Sequence, residues 1–168
     1  RGVVQQLALR GLGRAEIRRK LPRGYITFES PDIPREMERT IPDVFPETAP
    51  GSFIYDEQMG RWVCSSVHPY QWDLNYRNPH VLIDMAESML RLANLGVEVF
   101  RVDATPYLWK ERGTSCRNLP QVHTIMRLVR LMTELVCPAV ILKGEVVMAP
   151  AAVQLLDDVH AVERACER

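Results

Sequence analysis

With 168 residues the chain can bury one hydrophobic core, and 21 basic against 21 acidic residues leave no net charge to draw it onto nucleic acid or an anionic membrane. No run approaches the ~18 consecutive apolar residues of a membrane span. Cys64, Cys116, Cys137 and Cys166 form neither a C-x-x-C pair nor a zinc-spaced cluster, so reduced cysteines and a cytoplasmic location are the default expectation, with no nucleic-acid or membrane partner.

Residues 1–22 make the first expected segment, weakly helical and ended by Pro22-Arg23-Gly24. Its basic residues Arg1, Arg10, Arg14, Arg18, Arg19 and Lys20, with Arg23 just beyond, face a single acid, Glu16. A basic, acid-poor start can be a transit peptide, but this one has no serine, which favours a solvated helical face or a non-native junction. The stretch from Val3 to Leu12 is too short and too interrupted for a secretory signal.

Residues 23–78 are expected to form an inserted, loop-rich subdomain, because Pro31, Pro34, Pro42, Pro46, Pro50 and Pro69 recur too often for long helices. Ser52-Phe53-Ile54-Tyr55 and Arg61-Trp62-Val63-Cys64-Ser65-Ser66 flank a turn-like Asp56–Gly60 stretch, which predicts a hairpin. The run Tyr70-Gln71-Trp72-Asp73-Leu74-Asn75-Tyr76 mixes aromatic faces with amides, a composition that suits a sugar cleft. The plainer alternative makes Trp72 and Leu74 core residues and has Asp73 and Asn75 satisfy turn backbone. His68 lies beside this run, and none of the four histidines has metal spacing.

Residues 79–150 alternate helix and strand. Asn78-Pro79 is an N-cap followed by proline at the first helical position, with Leu82, Met85, Ala86, Met89, Leu92 and Ala93 at helical spacing and Gly96 as the stop. The apolar run Val97–Ala104 predicts a strand. A connector through Trp109 and Gly113 leads to a second amphipathic helix from Pro120, with Val122, Ile125, Met126, Val129, Met132 and Val136 on one face. Pro138 ends it, and Ala139–Glu145 predicts the next strand. This alternation is the signature of an α/β architecture with a parallel sheet, its strands apolar on both faces. Residues 151–168 are expected to be helical.

Each predicted strand delivers an acid at its C-terminal end, Asp103 and Glu145. In parallel α/β barrels those ends converge on the active-site face, and two carboxylates there can flank one glycosidic bond. Alternation along the strand puts Arg101 on the side of Asp103, where its guanidinium can hold the carboxylate ionised as a nucleophile must be. Glu145 would need a raised pKa to donate a proton, and Lys143 is its only cationic neighbour in sequence. A retaining site requires a carboxyl separation of ~5–5.5 Å, and an inverting one ~6.5–9.5 Å.

Gln71-Trp72-Asp73-Leu74-Asn75, Arg101-Val102-Asp103-Ala104 and Lys143-Gly144-Glu145-Val146, in that order, resemble the α-amylase superfamily of retaining glycosidases and transglycosidases. Phe45-Pro46, Pro50-Gly51-Ser52-Phe53, Gly60-Arg61-Trp62-Val63, Leu92–Val97, Leu108-Trp109-Lys110 and Gly113–Pro120 narrow the resemblance to the amylosucrases, over about Tyr25 to Pro150. The resemblance implies part of a (β/α)8 TIM barrel, about strands 4 and 5, whose whole needs ~250 residues. It makes Asp103 the nucleophile and Glu145 the general acid and base. Arg101 and Gln71 would contact the donor sugar, with Tyr107 and Phe45 as aromatic walls.

The implied reaction is glucosyl transfer from sucrose to an α-1,4-glucan acceptor. It needs no cofactor, metal or nucleotide sugar, and homo-oligomerisation stays open. The superfamily's Asp-x-x-x-Asn-His and His-Asp motifs do not occur in the chain, so a fragment or truncated copy with little or no activity is expected, since loss of one transition-state group costs ~10²–10³ in rate. The competing readings are a degenerate, non-catalytic remnant that at most binds sugar or a partner, and a sucrose hydrolase or trehalulose-type isomerase.

Overall fold

The computed structural model describes residues 24–146 and 161–164. The expected helical segment at 1–22 lies outside them. The described residues divide into two units, residues 24–81 with 107–117, and residues 82–106 with 118–146 and 161–164.

In the first unit, β1 (Thr27–Phe28), β2 (Phe53–Asp56) and β3 (Arg61–Cys64) form an antiparallel sheet in the order β1-β3-β2. The expected hairpin is β2-β3, with Phe53 opposite Cys64 and Asp56 opposite Arg61. Its turn closes because Gly60 takes φ 64° and donates its N–H to the Asp56 carbonyl at 2.9 Å, a conformation only glycine adopts without cost. Asp56 Oδ1 accepts the Met59 N–H at 2.8 Å. The helix α1 (Asp32–Glu38) delivers Met37, which packs with Ile41, Phe53, Cys64 and Cys116 into a core flanked by Ile26, Phe28 and Trp62.

Asp73 organises the loop that follows. Its Oδ2 accepts Ser66 N–H at 2.9 Å, Ser66 Oγ–H at 2.7 Å and the Cys64 thiol at 3.1 Å, with Lys110 Nζ 3.6 Å away. The plainer reading of Asp73, a carboxylate that satisfies loop backbone, is therefore the one observed. Burial pushes the Cys64 thiol well above its ordinary range, and the Asp73 charge adds to the shift, so this cysteine is an inert packing residue.

Helix α2 (Pro79–Asn94) begins and ends where its sequence signals stand. Asn78 Oδ1 accepts the His80 N–H at 3.1 Å, a cap worth about 1 kcal/mol. At the other end Gly96, at φ 93°, donates to the Ala93 carbonyl at 2.9 Å while Val97 N–H reaches the Leu92 carbonyl at 3.1 Å. That paired pattern is a Schellman motif, which needs a residue free to enter the left-handed region.

The second unit holds a parallel sheet of β4 (Val99–Val102), β5 (Ile141–Val146) and β6 (Ala161–Arg164), in the order β4-β5-β6, with helix α3 (Pro120–Val136) joining the first two. Met89, Phe100, Val140 and Leu142 make its core, with Leu92, Ala93, Val129 and Met132 packed around it. Three expectations are corrected here. Ala161–Arg164, expected as helix within 151–168, is a strand paired with β5; the rest of that segment lies outside the described residues. Val136 is exposed, and Thr133 takes the buried position in the last turn, its Oγ1–H satisfied by the Arg130 carbonyl at 2.7 Å.

The strands are also not buried on both faces. Phe100 and Leu142 are buried, but their neighbours Val99 and Ile141, which are opposite each other in the register, are 56% and 49% exposed. The period of two puts Val99, Arg101, Ile141, Lys143 and Glu145 on that second face. It is apolar at the N-terminal end of the strands and charged at the C-terminal end. Among the described residues no helix is long and apolar enough to cross a membrane.

Candidate active site

Three charged side chains converge at the C-terminal end of β4 and β5. Arg101 stands opposite Lys143 in the register, so Glu145 is two residues further along the neighbouring strand. Asp103 follows β4 immediately. Arg101 donates from Nη1 to Asp103 Oδ1 at 3.0 Å and from Nη2 to Glu145 Oε1. One guanidinium thus bridges both carboxyls, as its planar fork of donors permits and a lysine ammonium does not.

Beyond Asp103 the chain leaves the strand through Ala104, which takes φ 51°. The left-handed region costs a non-glycine residue about 1–2 kcal/mol. The turn is held by Thr105, fully buried, whose Oγ1–H bonds the Val102 carbonyl at 3.0 Å. This bend aims the Ala104 N–H at the Glu145 carboxyl. Strain maintained by surrounding bonds at such a position accords with a functional constraint.

Glu145 has its pKa raised from 4.5 to about 7. The largest cause is a hydrogen bond with the Asp103 side chain, followed by burial and then by the charge of Asp103, with Arg101 and the Ala104 N–H opposing. Two carboxyls this near cannot both ionise cheaply, and a shared proton resolves the repulsion. Both carboxyls bond the same guanidinium, so they face one another at the C-terminal end of the strands. A carboxyl that titrates near neutrality can give a proton and take one back, as general acid-base catalysis requires.

The other expected site residues lie in the first unit. Gln71 holds its turn through an N–H to the His68 carbonyl at 2.8 Å, and its buried Oε1 has no hydrogen-bond partner. Phe45, 38% exposed, stacks on His68 at 5.3 Å, and His68 stacks on Tyr70 at 5.2 Å. Tyr107 is buried, with the Arg117 guanidinium 5.5 Å from its ring centre. The structure therefore brings Arg101, Asp103 and Glu145 together in the second unit, while Gln71, Phe45 and Tyr107 belong to the first.

Sequence reasoning missed the Ala104 N–H and the reach of Arg101 to Glu145. Neither leaves a local signal, since both depend on the register between strands.

No family model matches the chain. Over 83 residues it is 42% identical to glucosylglycerate phosphorylase of Allomeiothermus silvanus, a match covering 49% of this chain and 15% of that protein. It is 36% identical over 87 residues to trehalose synthase of Pimelobacter sp., covering 52% of this chain and 15% of that protein. The chain thus spans less than a fifth of the length of these curated relatives.

Among solved structures, a family GH13_31 enzyme superposes with a TM-score of 0.64 at 18% identity, covering 96% of this chain and 32% of the other. Trehalose-6-phosphate hydrolase of Bacillus licheniformis gives a TM-score of 0.62 at 18% identity, over 83% of this chain and 26% of the other. These neighbours are (β/α)8 barrel enzymes, so the fold is α/β and forms part of such a barrel. In a barrel the face that carries Val99 and Ile141 points inward, which accounts for apolar side chains exposed on β4 and β5. By sequence likeness and by fold together, the chain is a relative of the α-amylase-superfamily enzymes, and its ancestry is that of an enzyme.

Proposed function

We propose that the site transfers an α-glucosyl group with retention of configuration by double displacement. The observation that carries this reading is the convergence of the Asp103 and Glu145 carboxyls on the one guanidinium of Arg101. Asp103 attacks the anomeric carbon as Glu145 gives its proton to the departing glycosidic oxygen. Glu145 then takes a proton from the acceptor, whose oxygen displaces Asp103. Two inversions at one carbon give net retention. Arg101 orients both carboxyls.

The finer reading has sucrose as donor and an α-1,4-glucan as acceptor, as in amylosucrase. It rests on the motifs from Phe45-Pro46 to Gly113–Pro120. A second reading is favoured by the relatives, which are named glucosylglycerate phosphorylase and trehalose synthase. In that case the donor is another α-glucoside, and the acceptor is phosphate or a glucose ring.

Product analysis separates them. The full chain is incubated for days with sucrose, trehalose or α-glucosylglycerate, with and without phosphate, so that slow turnover is detected. Sucrose is expected to yield α-glucan or α-glucose with free fructose. Phosphate-dependent α-glucose 1-phosphate or isomerised trehalose would replace the amylosucrase reading with the second. A β-configured product from any donor contradicts retention itself.

A further inference from the structure

The first unit carries an open cavity of about 650 Å³, within the usual range for small-molecule sites. Tyr25, Tyr76 and Trp109 give it aromatic walls, while Arg77 and His80 stand at its lining with Asn75. Among the described residues that line it there is no aspartate or glutamate. Arg112, which also lines it, is neutralised by Glu36 at 2.5 Å, and Lys110 faces Asp73 at 3.6 Å. The net positive charge of the cavity therefore comes from Arg77, with His80 adding to it when protonated.

Arg77 is held in place. Its guanidinium lies 4.5 Å from the centre of the Trp109 ring, and Nη2 donates to the Lys110 carbonyl at 2.9 Å. That bond uses one of five N–H donors. Asn75 Oδ1 is committed to the Arg77 N–H at 3.2 Å, so its amide contributes N–H donors as well. Burial raises the Tyr76 hydroxyl to about 12, which keeps it a neutral donor. The first turn of α2, which carries His80, adds the partial positive charge of a helix N-terminus.

We propose that this cavity binds an anionic carbohydrate, one sugar ring bearing a phosphate or a carboxylate. The aromatic walls receive the C–H face of the ring. The Asn75 amide N–H groups meet its hydroxyl oxygens, and Arg77 pairs with the anionic group. The chain's own leading residues are poor occupants, because residues 1–20 carry six basic side chains and one acid. The inference does not depend on the roles assigned to Asp103 and Glu145.

The test follows the three tryptophan indole N–H resonances of the full chain by NMR during titration with glucose 6-phosphate, glucuronate, glucose or inorganic phosphate. Both anionic sugars are expected to shift the Trp109 resonance saturably and to bind about tenfold or more tightly than glucose or phosphate alone. Arg77→Gln should remove that advantage. His80→Glu, at an exposed position that tolerates change, should weaken both anionic sugars about tenfold and leave glucose unaffected. Asp103→Asn should bind as the parent does. Equal binding of glucose, equal binding of phosphate, unaltered affinity in His80→Glu, loss of binding in Asp103→Asn, or the lack of any shift each overturns the proposal.

Discussion

Replacing Arg101 with methionine is expected to lower turnover by about 10²–10³-fold, the loss typical when one preorganised partner of the developing charge is removed. The effect exceeds that of an ordinary surface ion pair because one guanidinium serves two carboxyls, Asp103 at 3.0 Å and Glu145. Arg101→Lys should rescue little, since an ammonium cannot span both with the same planar geometry. A second readout separates this role from simple structural support. Arg101 lowers the pKa of Glu145, so removing it must raise that pKa, and the alkaline limb of the pH–rate profile should move upward. A profile that falls in height without moving would assign Arg101 to scaffolding alone.

Glu145→Gln carries the second large effect, and it is read in two ways. For a donor with an alcohol leaving group, loss of the general acid should cost about 10²–10⁴-fold, while α-glucosyl fluoride, which departs without a proton, should be spared most of that loss. The stability change has the opposite sense. Glu145 titrates at about 7 in the folded chain against an ordinary value of 4.5, raised first by its hydrogen bond to Asp103 and then by burial. The folded state therefore binds more protons than the unfolded state between those values. The stability this contributes is fully present below the ordinary value and is lost as pH rises through about 7.

Glutamine mimics the protonated acid at every pH. The urea midpoint of the parent chain should accordingly fall relative to Glu145→Gln between about pH 5 and about pH 8. Parallel midpoints across that window would remove the shared-proton account of the pair.

Much of the second unit was legible in the sequence. Asn78, Pro79 and Gly96 mark the ends of α2 because capping chemistry is local, and the observed bonds to His80, Ala93 and Leu92 are those the signals call for. Arg101 and Asp103 could be placed on one side because alternation along a strand needs no knowledge of its partner. The contact between Arg101 and Glu145 could not, since it arises only from the pairing that sets Arg101 opposite Lys143.

The first unit was less readable. β1 has two residues, Thr27 and Phe28, too few for any period to show. The cavity draws Tyr25, Arg77 and Trp109 together from three distant stretches, and nothing local in any of them announces it. The exposure of Val99 and Ile141 was hidden for a different reason. An apolar run looks the same whether its second face meets helices or the interior of a barrel.

The central claim is that Asp103 becomes bonded to sugar while Glu145 handles the proton. Its most direct test is to incubate the full-length Glu145→Gln chain with α-glucosyl fluoride, where the ester forms without acid help and its breakdown is slowed, and to map the adduct by mass spectrometry. The account predicts one glucosyl unit on the peptide that contains Asp103, and none when Asp103→Asn is added. A label on any other residue, or one that persists without the Asp103 carboxylate, would contradict it.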